Sequence, residues 1–221
     1  MIRVHHLENS RSQRILWLLE ELGLPYDVKR YARDPKSQLA PAELAGIHPL
    51  GKSPVIAEGD VTVAESGAIV EYLIDTHGGG RLRPAPGTPE HLRYRYWLHA
   101  CEGSVMPFLV MKLVFSKTTE PPVPFLVRPI TRAVAAEVGR SYIEPGIKAQ
   151  LAHMERELGT STWFAGDELS GADVMMSFPI EAAASRIELA AYPKLAAFLE
   201  RIHARPAYQR ALERGGPYRI L

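Results

Sequence analysis

Val55-Ile56-Ala57-Glu58-Gly59-Asp60-Val61-Thr62-Val63-Ala64-Glu65-Ser66-Gly67 is the stretch that decides the fold. Two four-residue runs rich in β-branched residues flank Gly59-Asp60, which predicts a tight hairpin. Glu65-Ser66-Gly67 then opens a helix whose inner side carries Ile69, Val70, Leu73 and Ile74, with Ala68 and Tyr72 beside them. Upstream, Ile2 to Leu7 reads as a strand and Ile15, Leu16, Leu18, Leu19 and Leu22 space out as a helix with a broad apolar face. Gly23 ends that helix and Tyr26 to Tyr31 reads as a second strand. A strand–helix–strand unit makes its two strands parallel. Adding the hairpin and its helix gives the order βαβ–ββα and a mixed four-stranded sheet in an α/β N-terminal domain.

Working downstream, Gly78-Gly79-Gly80 and Pro84-Ala85-Pro86-Gly87 break the pattern. They divide the chain into a domain over residues 1–80, a linker over 81–88 and an all-helical C-terminal domain over 89–221. In the last part, residues 89–117 read as one helix bent at Pro107, since proline removes a helical N–H and crowds the turn before it. Further helical patterns run over 126–158, 172–188 and 193–212, with breaks at Pro193 and Pro206.

The chain has 221 residues, with 26 Lys and Arg against 25 Asp and Glu, a net charge of +1. That balance lacks the basic excess of a nucleic-acid binder. One cysteine, Cys101, excludes an internal disulfide, a cysteine-rich zinc site and a CxxC pair. No metal is expected. The N-terminus has no apolar signal core, and the most apolar run, Val105 to Phe115, falls short of the about 20 residues of a membrane span. A cytoplasmic chain with no membrane partner is the expectation.

Several side chains invite chemistry, and each has a structural reading beside it. Ser10 precedes the first helix, where Ser10 or Ser12 suits a cap. Arg11 between them would stabilise an anion or stay solvated. Lys52 reads as a loop charge and Pro54 as a strand-start proline. Glu65-Ser66 suits any first helical turn, and also suits an anion at the helix N-terminus. Ser170-Gly171-Ala172-Asp173 reads as a capping box, with an expected cost of about 1 kcal/mol for Asp173→Ala.

Asn9-Ser10-Arg11-Ser12-Gln13-Arg14, His48-Pro49-Leu50-Gly51-Lys52-Ser53-Pro54-Val55, Glu65-Ser66-Gly67-Ala68-Ile69 and Ser170-Gly171-Ala172-Asp173 follow one another in the order and spacing of a known family. Together they resemble the cytosolic glutathione transferases, closest to a serine-type group of bacteria and fungi. The resemblance implies a thioredoxin-like N-terminal domain and a helical C-terminal domain. It implies glutathione as co-substrate and a hydrophobic electrophile or peroxide as second substrate. Ser10, four residues before Arg14, would be the catalytic hydroxyl that holds the glutathione sulfur as thiolate. Pro54 would be a cis proline that frees the Val55 backbone to pair with the cysteinyl unit. Lys52 and Ser53 would sit at the same site, Lys52 on the glycine carboxylate, with Ser66 on the γ-glutamyl carboxylate and Glu65 on the amino group. The second-substrate cleft would draw on Ser12, Glu102, Phe108 and Met111. A homodimer is the expected assembly. A non-catalytic module of the same fold, or a glutathione-dependent isomerase or dehalogenase, are the alternatives.

Overall fold

A computed structural model describes residues 1–220; Leu221, the end of the 89–221 domain expected from the sequence, lies outside the described residues. Strand β1 (Ile2–Leu7), helix α1 (Ser12–Leu22) and strand β2 (Tyr26–Tyr31) form the first unit. Strands β3 (Val55–Glu58) and β4 (Val61–Ala64) and helix α2 (Ser66–His77) form the second. The sheet order is β2-β1-β3-β4, with β1 parallel to β2 and antiparallel to β3. Gly23 closes α1 in the left-handed conformation, φ 66°, where a residue without Cβ carries no steric penalty.

The helical domain runs through α3 (Pro89–Ala100), α4 (Met106–Lys117), α5 (Arg128–Val138), α6 (Glu144–Thr160), α7 (Gly171–Ala184), α8 (Pro193–His203) and α9 (Pro206–Gly215). Helices α3 and α4 are one continuous rod joined by a wide π turn at Cys101–Val105, and α5 and α6 are joined in the same way at Gly139–Ile143. Both π turns sit just ahead of a proline, Pro107 and Pro145. A proline ring collides with the carbonyl four residues back, and a turn of five rather than four residues makes room for it. The bend expected at Pro107 is therefore spread over the preceding turn. Because the rod is unbroken, Pro89–Lys117 is long and apolar enough by length and composition to cross a membrane. Its inner side packs into the domain through Trp97, Leu98, Cys101, Val105 and Leu109.

Helix α1 is the hub. Leu16, Trp17, Leu18 and Leu19 are fully buried, and so are the polar Ser12, Gln13 and Arg14 at its start. The broad apolar face expected from the sequence is thus burial almost all round, with the sheet on one side and α7 and α9 on the other. One apolar core joins the two domains, from Val4 and Ile56 in the sheet to Met175 and Phe198 in the helices. Each fully buried Leu in it contributes roughly 1.5–3 kcal/mol of transfer free energy.

Candidate active site

Where β1 ends, the chain turns through Asn9, Ser10 and Arg11 into α1. Ser10 Oγ accepts the Ser12 N–H at 3.2 Å and lies 2.8 Å from Ser12 Oγ. Ser12 Oγ lies 2.8 Å from His6 Nδ1 and 3.2 Å from the Leu7 carbonyl oxygen. Burial pushes His6 down to about 4, so the ring is neutral at neutral pH. Arg11, at the cap position of α1, makes no capping hydrogen bond. The Ser10 hydroxyl thus satisfies the first N–H of α1 in place of the residue at the cap position, and Ser10 stands next to the residue that reaches the cleft.

The Ser53–Pro54 peptide is cis. Ser53 is stitched to β1: its Oγ donates to the His5 carbonyl at 2.8 Å and accepts the Leu7 N–H at 3.3 Å. Its own backbone N–H and C=O have no partner among the described residues. Val55 is different. It stands opposite His5 on one side and Ala64 on the other, inside the sheet and buried. Val55 is thus not the free backbone edge that the sequence reading expected; the residue before the proline, Ser53, is. A strand with neighbours on both sides has no edge to offer.

Helix α2 begins at Ser66, which is buried, while Glu65 at its cap position is exposed and held at φ 72°, ψ 128°. No side chain caps this end. The first N–H groups of the helix and its positive dipole end thus have no internal acceptor.

A cleft of about 220 Å³ gathers these segments: Arg11 from the turn before α1, Lys52, Ser53 and Pro54 from the loop before β3, Glu65 and Ser66 from the start of α2, and Glu102 from the helical side. Arg11 and Glu102 meet across the domain boundary, with Arg11 Nε 3.2 Å from Glu102 Oε1. Buried Arg14 donates to the same carboxylate, to the Met175 carbonyl at 2.7 Å and to Cys101 Sγ at 3.2 Å. Burial pushes the Cys101 thiol up to about 11, so it is a neutral donor to Met175 rather than a nucleophile.

The cleft does not include all of the second-substrate candidates. Ser12 is wholly buried with its hydroxyl engaged, so it lines nothing. Phe108 packs on Tyr142, ring centroids 5.5 Å apart, and against Gly146, where an added Cβ would lie 2.2 Å from the Phe108 ring. Met111 packs against the core of the helical domain. Only Glu102 reaches the cleft, and it does so as the counter-charge of two arginines. Arg11 and His48 are lining residues whose roles the sequence left undecided; the signal for Arg11 was its place beside Ser10.

A βαβ–ββα sheet, an uncapped helix start opening on a cleft and a helical domain along its far wall define a two-domain protein with a thioredoxin-like fold. The family profile "Glutathione S-transferase, N-terminal domain" matches residues 1–75, and "Glutathione S-transferase, C-terminal domain" matches residues 122–206. Glutathione S-transferase 3 of Schizosaccharomyces pombe is 34% identical over 97% of this chain and 88% of its own length. Glutathione S-transferase 1 of Saccharomyces cerevisiae is 33% identical over 97% of this chain and 95% of its own. A crystal structure of a glutathione S-transferase from Actinobacillus pleuropneumoniae superposes with a TM-score of 0.78 at 33% identity, covering 97% of this chain and 93% of that one. The chain belongs to the glutathione S-transferase family and is a transferase enzyme.

Proposed function

We propose that this chain binds glutathione in the Lys52–Ser66 cleft, holds its sulfur as thiolate through the Ser10 hydroxyl, and directs it at a hydrophobic electrophile or peroxide. The observation that carries the reading is the convergence of one unpartnered backbone and one uncapped helix start on a single cleft. The γ-glutamyl carboxylate would meet Ser66 and the N–H groups of the first turn of α2. Glu65 would take the amino group, and Lys52 the glycine carboxylate as a point charge. The Ser53 backbone would pair with the cysteinyl unit as an added strand does.

A free thiol has a pKa of about 8.5, so little of it is thiolate at neutral pH. A hydroxyl donor beside the sulfur favours the anion. In conjugation the thiolate forms a C–S bond, the leaving group departs with its electron pair, and the thiol proton goes to water. Holding both reactants in one cleft supplies the proximity term. A cytosolic homodimer is the assembly proposed, with light scattering as its check.

Retention on immobilised glutathione, followed by a substrate panel with product analysis, tests the reading. Retention and a thioether product support it. Failure to be retained points to a non-catalytic module, and a rearranged or dehalogenated product points to the isomerase or dehalogenase alternative. Ser10→Ala is expected to lower kcat about tenfold or more while the Kd for glutathione stays within about twofold. An equal loss in both would remove Ser10 from the chemistry.

A further inference from the structure

One wall of the cleft is built from charge. Arg11 and Glu102 line it, and Arg14 lies behind them, fully buried. The terminal nitrogens of Arg14 donate to Glu102, Met175 and Cys101, while its Nε has no partner among the described residues. Arg11 makes an ion pair with Glu102, yet no hydrogen bond to the rest of the chain, and one third of its side chain is exposed, 34%. Both guanidiniums lie over the Phe178 ring, at 5.5 Å and 5.6 Å from its centroid. One carboxylate thus faces two guanidiniums, and the cluster carries a net charge of one positive unit. Between a ring and a protein wall this charge is screened less than in water. It sits one residue from Ser10.

We propose that Arg11 supplies the cationic contact for the sulfur of bound glutathione, and that Glu102, held by buried Arg14, sets how much of that charge reaches it. The proposal rests on the glutathione reading of the cleft. The other charged or titratable groups around the cleft are His48 and Lys52 from the loop before β3 and Glu65 from the start of α2, and Arg33, bonded to the Asn9 carbonyl in the turn that carries Arg11, is a like charge close enough to repel it. Cys101 behind Arg14 is a neutral thiol, and α7 presents the Phe178 ring and the Met175 carbonyl to the two guanidiniums. Arg11 and Glu102 are therefore opposite charges with opposite effects. Removing the cation raises the ionisation midpoint of the bound thiol, and removing the anion lowers it.

The test titrates the thiolate ultraviolet absorbance of glutathione at saturation on the full chain. Wild type is compared with Arg11→Lys, Arg11→Gln, Arg11→Glu and Glu102→Gln. Arg11→Gln is expected to raise the midpoint by about one pH unit, Arg11→Lys to restore more than half of that, and Arg11→Glu to raise it further. Glu102→Gln is expected to lower it. A purely structural role would move Arg11→Gln and Glu102→Gln the same way, since each breaks the same pair. Equal midpoints for Lys, Gln and Glu at position 11, or an upward shift in Glu102→Gln, would overturn the proposal. Should Glu102→Gln not fold, the graded series at position 11 decides alone. A wild-type midpoint equal to that of free glutathione defeats the thiolate reading itself, and does so before any variant is made.

Discussion

The helix starts at Ser66 and Ser170 look alike in sequence and end in opposite states. Each puts a serine at the head of an apolar helix with an acidic residue close by. At α7 the acid comes three residues later, and its carboxylate turns back on the helix end. Asp173 accepts the Ser170 N–H and hydroxyl, each at 2.9 Å, and the Phe164 N–H at 2.8 Å. At α2 the acid comes one residue earlier, in the left-handed region, and caps nothing. The same dipole is answered by an internal carboxylate in one place and left unanswered by any side chain in the other. Position relative to the helix start, not residue type, separates a closed helix end from an open one.

The sharpest way to break this contrast is Asp173→Ala. Three buried donors lose their acceptor, so the expected loss is about 3 kcal/mol by urea denaturation, above the 1 kcal/mol of a surface cap. A loss near 1 kcal/mol would make α7 an ordinary cap. Next in size is pH. Burial raises Asp173 to about 6, so the native state holds its proton where the unfolded state has released it. Its contribution to stability is fullest below its unfolded value of 3.8 and declines as pH rises towards 6. His6 has the opposite sign: its folded value of about 4 lies below the ordinary 6.5, so its contribution is full above 6.5 and is lost as pH falls towards 4. Between pH 6 and 4.5 the two oppose each other. Asp173→Asn should therefore steepen acid destabilisation by about 2 kcal/mol across that window, measured by denaturation at several pH values. An unchanged slope would show that Asp173 stays ionised.

Smaller still is the effect expected at the open end. Ser66→Ala should weaken glutathione binding about tenfold by calorimetry while stability moves by less than about 0.5 kcal/mol. Ser170→Ala should do the reverse, lowering stability by about 1 kcal/mol and leaving binding alone. The smallest expected change is at Lys52, a solvent-exposed cation. Lys52→Ala should weaken binding about threefold at low salt and less at high salt.

Much of this molecule was legible in its sequence. Strand and helix periods, the Gly59-Asp60 hairpin, Gly23 as the end of α1 and the box at Ser170 are local signals, carried by residues within a few positions of each other. The order βαβ–ββα then leaves few sheets to choose from. Errors arose where the deciding partner was distant. Val55 looked like the free edge because β1 and β4 close over it only in the assembled sheet. Ser12 looked available because its partner His6 lies across the turn, and Phe108 looked like a cleft wall because Gly146 lies 38 positions away. The π turns were half legible: Pro107 marked the place, and the widened turn was the response of the helix.

What the sequence determined alone is the set of elements, their order and the segments from which a glutathione site would be built. Periodicity and capping are short-range physics, and a chain of 221 residues states them in full. What only the tertiary structure decided is which polar groups are left without partners. Ser53 keeps a free backbone, the first turn of α2 keeps its bare N–H groups, and Arg11 shares one carboxylate with an arginine sealed behind it. Whether a group is satisfied depends on every neighbour that folding brings up to it, and Arg14 and Glu102 are 88 positions apart in the chain.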